Sequence, residues 1–285
     1  MLRLRPWRAF ALMVISIIIG SSQWSYAAPT RIVSINPCLD QILIEVADPK
    51  QISALSYYSL DHRSSLITER AKYFPSTYGS AEEVMALKPD LVLASTYSSK
   101  STLRTLKKLN ANLALFALPN SIEISAQQVT RIAELVGHPE RGIALNQRIN
   151  EALAKAKIQS LNPPISALVY QANGFVPGEK TLINQVMNHS GFTNQASAYG
   201  IKYWGIVHLE DLLHSPPKVL FTPTTQNEVG SWSSRIVTHP VFTKLPTNIM
   251  RESPFPEALM SCAGPTLIPL AEALSAARKS KQVPE

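Results

Sequence analysis

Short apolar runs alternate with segments of helical period along this chain, and that alternation constrains the fold more than any other feature. The runs are Ile32–Ile35, 52–55, 91–94 and 113–118, then 165–170 and 219–222. Strands alternating with helices need right-handed crossovers and give parallel sheets, so the fold class is α/β. After the first run, Asn36 suits an N-cap and Pro37 the first helical position. Leu39, Ile42, Leu43 and Val46 then follow at helical spacing. A helix is expected from about Ser125 to Val136, ended by Gly137. A longer one is expected from about Glu140 to Ser160, with Ile143, Ile149, Leu153 and Ala156 on one side. It would span roughly 30 Å, and Asn162-Pro163-Pro164 stops it. Gly264-Pro265 opens a last helix carrying Leu267, Leu270 and Leu274. This gives a first lobe over 28–138, a linking helix over 139–161 and a second lobe over 162–285.

The lobes echo each other. Glu82 lies seven residues before Pro89, and a strand pattern follows; Glu210 lies seven before Pro217, and a strand pattern follows again. Two such lobes leave a cleft between them, lined by the loops beyond the carboxyl ends of the strands. Those loops are rich in aromatic residues: Tyr57, Tyr58, Tyr73, Phe74, Tyr78 and Tyr97 in the first half, Phe175, Tyr203, Trp204 and Trp232 in the second. Some of these rings cover helix ends. The others suit a large, flat, partly apolar ligand, since aromatic faces offer broad contact at little entropic cost. Cations beyond Arg63, Lys202 and Arg235 are few in these loops, whereas a multiply charged anion needs an Arg cluster.

The net charge of +7 is partly a targeting signal. Arg3, Arg5 and Arg8 precede an apolar run from Ala9 to Gly20, and Ser25-Tyr26-Ala27 fits a cleavage site. Residues 1–27 thus read as a secretory signal peptide. Its removal leaves 258 residues with a net charge of +4. The Lys/Arg runs that remain are Lys107-Lys108 and the tail from Arg278 to Lys281, so a nucleic-acid partner is not expected. The two cysteines, Cys38 and Cys262, exclude a disulfide-dense small fold and a multi-cysteine metal module. In an exported chain two thiols usually form one disulfide; the alternative is two free thiols at helix N-termini, where thiolate is favoured.

Motifs for catalysis are weak. Gly174 to Thr181 resembles a phosphate loop, but no Lys directly follows the second Gly. There is no Gly-x-Ser-x-Gly elbow, and the six histidines show no paired ligand spacing. Ser80-Ala-Glu-Glu83 fits a capping box with Glu83 reaching back, which leaves Glu82 facing outward. Glu210 occupies the matching place. Two exposed acids, one per lobe, could meet two arginines of a symmetric partner, or could simply compensate two helix dipoles.

Arg31-Ile-Val-Ser-Ile-Asn-Pro37, Ala86-Leu-Lys-Pro-Asp-Leu-Val-Leu-Ala94 and Gly178-Glu-Lys-Thr-Leu-Ile-Asn-Gln-Val186 resemble the periplasmic binding proteins of the iron-siderophore/cobalamin class. The likeness covers about residues 31 to 278. It implies two Rossmann-like lobes joined by one long α-helix, the class III arrangement. It also implies a non-catalytic role in the periplasm: capturing a metal chelate, a corrinoid ahead of a ferric siderophore or haem, for an ABC permease dimer with its cytoplasmic ATPase. The protein is expected to be a monomer without a cofactor. By motif, Glu82 and Glu210 match the glutamates that dock on the permease, and Trp204, Phe175 and Tyr58 match aromatic ligand contacts. Ser95 stands where the family carries a cleft tryptophan, with Tyr97 nearby, and Tyr78 supplies a ring before Glu82. With Trp232, these residues make up the expected ligand-binding set. The cysteines are not at the disulfide positions of the cobalamin-binding members.

Overall fold

The computed structural model describes residues 28–157, 163–223, 239–244, 246 and 249–279. The signal segment 1–27 and Trp232 lie outside them. The first half contains β1 (Ile32–Ser34), α1 (Pro37–Val46), β2 (Ile52–Ser56), α2 (Thr68–Ala71), β3 (Ser76–Thr77), α3 (Ala81–Ala86), β4 (Leu91–Ser95), α4 (Lys100–Lys108), β5 (Leu113–Phe116) and α5 (Ile122–Leu135). The long helix α6 (Pro139–Ala156) follows. The second half contains β6 (Ile165–Val169), β7 (Phe175–Pro177), α7 (Leu182–His189), β8 (Phe192–Asn194), β9 (Trp204–Ile206), α8 (Leu209–His214) and β10 (Val219–Pro223). Then come α9 (Val241–Lys244), β11 (Arg251–Phe255), α10 (Ala258–Ser261) and α11 (Leu267–Lys279).

The alternation of strands and helices yields two parallel sheets. The first has the order β3-β2-β1-β4-β5; the second, read in the same sense, has the order β8-β6-β10-β11. Thus β1 and β6 hold equivalent places, and so do β4 and β10, the strands that follow the two short acidic helices. The repeat seen around Glu82 and Glu210 is therefore a repeat of topology. Every pairing within these two sheets is parallel.

Side chains alternate across each sheet with the period of two that strands impose. Ile32, Leu91 and Leu93 from the first sheet face the same apolar cluster as Ala167, Val169, Val219 and Phe221 from the second. Helices α1, α5, α6, α7 and α11 fill that cluster through Ile42, Ile132, Ile149, Val186 and Leu270, among others. The intervening residues face outward-lying helices: Val33 and Val92 pack with Val84 of α3 and Leu106 of α4. On the other sheet, Leu168 and Leu220 pack with Leu212 of α8. Each half is thus three layers deep, and the halves share one core around α6.

Local signals act as read at the start of α1, where Asn36 accepts hydrogen bonds from the N–H groups of Cys38 (3.0 Å) and Leu39 (3.2 Å). Elsewhere the structure differs. Helix α5 starts at Ile122, because the Ser121 hydroxyl accepts from the Ile124 N–H at 3.1 Å and supplies the cap. Ile143 of α6 is 67% exposed. The buried stripe runs through Gly142, Leu145, Ile149, Ala152, Leu153 and Ala156, and at 100° per residue position 143 falls well off it. No helix among the described residues is long and apolar enough to cross a membrane.

Candidate functional site

Sheet register builds two aromatic pairs. The β2–β3 pairing aligns Leu55 with Ser76 and Ser56 with Thr77. The next residues, Tyr57 and Tyr78, therefore meet, with ring centroids 4.3 Å apart. Tyr58 packs edge-on to Tyr57 at 6.3 Å. Two carboxylates brace this cluster. Glu83 accepts from the Thr77 hydroxyl (2.7 Å) and the Tyr78 N–H (2.8 Å), and the hydrogen bond from Thr77 is the main cause that holds its pKa low. Asp40, fully buried in α1, accepts from the Ser56 N–H (2.8 Å) and the Ser59 hydroxyl (2.6 Å). Burial pushes the Asp40 pKa up to about 7 against those hydrogen bonds.

In the second half, β7 and β9 pair antiparallel, with Phe175 opposite Ile206 and Pro177 opposite Trp204. Phe175 and Trp204 stack at 5.2 Å with nearly parallel planes. The pairing continues past β7. The N–H of Gly178 donates to Tyr203 O, and that of Lys180 to Lys202 O at 2.7 Å. Only glycine fits at 178, where a Cβ would come within 2.5 Å of Ile201 O.

A cavity of about 380 Å³ opens between the halves. Tyr97, Leu118 and Pro119 line it from the first half, Lys180, Tyr203 and Trp204 from the second, and Met260 and Cys262 from the segment before α11. Tyr97 is 79% exposed, and its turn is held by the Tyr97 N–H donating to the Ser95 hydroxyl at 3.1 Å. Ser95 therefore shapes the cavity without lining it. Cys262 is joined to Cys38 of α1 by a disulfide across 224 positions of sequence, so the cavity wall is tied covalently to the first half.

Of the residues singled out as ligand contacts, Tyr97 and Trp204 line this cavity, and Phe175 backs Trp204. Tyr58 and Tyr78 form the separate tyrosine cluster on the first half and do not line it. Glu82 and Glu210 are exposed second residues of α3 and α8, after Ser80 and His208 respectively. The Ser80 hydroxyl caps its helix through the Glu83 N–H at 3.2 Å, whereas His208 makes no side-chain cap. Sequence reasoning did not pick out Lys180, Leu118, Pro119 or Met260. The signal for Lys180 was its place in the loop after β7, a stretch compared with phosphate loops and with the family motif from Gly178 to Val186 but not with a ligand contact. Among the described residues no group of three or more His, Cys, Asp or Glu is placed to hold a metal ion.

Residues 32–249 match a family model described as periplasmic binding protein. A curated relative, the vitamin B12-binding protein of Yersinia pestis (strain Pestoides F), is 24% identical over 233 residues, covering 80% of each chain. Among solved structures, the apo periplasmic heme-binding protein RhuT from Roseiflexus sp. RS-1 matches with a TM-score of 0.70 and 22% identity. That match covers 87% of this chain and 99% of RhuT. The periplasmic vitamin B12-binding protein BtuF of Vibrio cholerae matches with a TM-score of 0.63 and 16% identity, covering 89% of this chain and 99% of BtuF.

Proposed function

The chain belongs to the periplasmic binding protein family, and from that premise we propose that it is the substrate-binding component of an ABC importer for a flat metal chelate. The observation that carries this reading is the cavity between the halves, lined by Tyr97 from the first and by Trp204, stacked on Phe175, from the second. Aromatic rings contributed by both halves suit a macrocycle that packs against them. A corrinoid is the first cargo we name, because the curated relative is a vitamin B12-binding protein. Haem or a ferric siderophore is the second, because RhuT, with the same fold, is a heme-binding protein.

The relatives are named for what they bind, and we read this chain likewise as a carrier that performs no chemistry. It would reach the periplasm through cleavage of residues 1–27 and act as a monomer. Glu82 and Glu210, one per half at equivalent helix positions, would meet cationic side chains of a permease dimer. The apolar core shared across α6 resists wide hinge closure, so cargo capture would involve small movements of the lobes. Calorimetric titration with cyanocobalamin, ferric hydroxamate, ferric citrate and haem tests the reading. Saturable one-to-one binding of at least one chelate is expected. Failure to bind any, together with turnover of an ester or phosphate substrate, would replace it with an enzymatic one.

A further inference from the structure

The cavity has a feature that its aromatic character does not explain. Among the described residues lining it, Lys180 is the one that carries a charge; the others are Tyr, Trp, Thr, Ser, Asn, Cys or apolar. Its neighbours Glu179 and Lys202 lie outside the lining. Lys180 is exposed, on an anchored stretch of backbone. Its backbone is fixed by the hydrogen bond to Lys202 O, and Gly178 lets the turn press against residues 201–203. The Lys180 ammonium lies 5.5 Å from the centroid of the Tyr203 ring, which places the charge beside the aromatic wall that continues into Trp204. No carboxylate pairs with it among the ion pairs of the described residues.

The geometry points to Lys180 as the residue that selects cargo bearing an oxyanion at the edge of its ring system. This rests on the carrier reading given above and narrows it. A macrocycle lying against Trp204 and Tyr203 would present its periphery to Lys180. A charge-assisted hydrogen bond there favours an anionic substituent over an amide or ester of the same shape. Two chemistries supply such a group: a carboxylate on a porphyrin-type ring, or the phosphodiester in the nucleotide tail of a corrinoid. One cation on the described lining suits one such contact, whereas a polyanion would call for a cluster of cations.

The test uses two matched pairs of probes with the purified full-length protein: haemin against its dimethyl ester, and cyanocobalamin against dicyanocobinamide, which lacks the phosphate-bearing tail. Affinities are measured for wild type, Lys180→Met and Lys180→Arg. In whichever pair the wild type binds, it should prefer the oxyanion-bearing member. K180M should weaken that member about tenfold and the oxyanion-free member less than twofold, in keeping with one charge-assisted bond in a half-open cleft. K180R should retain most of the affinity. The pair that responds tells carboxylate from phosphodiester. The inference is overturned if K180M leaves the oxyanion-bearing member unchanged, if it weakens both members equally, or if the wild type does not discriminate. Wild-type protein that binds none of the four probes overturns this inference; the carrier reading falls with it only if ferric hydroxamate and ferric citrate also fail to bind.

Discussion

Removing the Cys38–Cys262 disulfide should cost this protein a large part of its stability. The bond joins the second residue of α1 to the segment just before α11 and closes a loop of 224 positions that holds nearly all of both sheets. Chain-entropy treatment of a loop that long gives about 5 kcal/mol. Domains are typically stable by only about 5–15 kcal/mol. Local contacts change little on substitution by serine. The Cys38 sulfur lies 3.3 Å from Ser261 O, so a serine hydroxyl at 38 has an acceptor beside it. The Cys38→Ser, Cys262→Ser double variant therefore isolates the crosslink, with measured losses for such bonds running about 2–5 kcal/mol. Urea unfolding followed by circular dichroism should show a lower midpoint and a somewhat steeper slope, because the uncrosslinked unfolded chain exposes more surface. The melting temperature should fall by roughly 10 °C. Wild type unfolded in reductant should match the variant. A difference below about 1 kcal/mol would show that the crosslink does little to the unfolded chain, and two titratable thiols in unfolded, unreduced protein would show that it does not form.

Three further outcomes follow from the geometry. Asp40 binds its proton in the folded state up to a pKa of about 7, well above an unfolded aspartate, so folded protein holds more protons than unfolded protein between about pH 4 and pH 7. Stability should fall as pH rises through that window, by up to about 4 kcal/mol. Asp40→Asn should flatten that slope in denaturation curves taken from pH 4 to 8, and an unaltered slope would place its origin elsewhere. The double variant Glu82→Ala, Glu210→Ala should lower uptake by cells while calorimetric affinity for the chelate stays unchanged; a collapse of affinity would assign these acids to the pocket. Trp204→Ala removes both a cavity wall and the stack on Phe175, and should weaken chelate binding at least tenfold, whereas Tyr73→Ala, an exposed ring away from the cavity, should leave it unchanged.

What could be read from the chain was local or repeated. The cap at Asn36, the apolar spacing of α1 and the acid–proline–strand module are each encoded within about a dozen neighbouring residues, and each appears in the fold. The repeat around Glu82 and Glu210 was visible because the two sheets share a strand order. Contacts that depend on pairing distant segments were not legible. The stack of Phe175 on Trp204 arises from the antiparallel β7–β9 pair, whose strands are separated by a helix and a third strand. The Tyr57–Tyr78 stack is set by the register of β2 against β3. Loop aromatics thus looked like one set, whereas the register sorts them into a cavity wall and a separate tyrosine cluster. Lys180 was passed over for a related reason. Its neighbours in sequence say nothing of Tyr203, and only the backbone pairing of 178–180 with 201–203 brings them together.

A crystal structure of the protein with the chelate that binds most tightly in the calorimetric panel would show whether the cargo sits in the cavity between the halves. One chelate per chain is predicted, its ring in contact with Tyr97 and Trp204 and an edge turned toward Lys180. A chelate found on another face, such as the groove between α6 and α11, with Tyr97 and Trp204 left uncovered, would rule the cavity out as the cargo site.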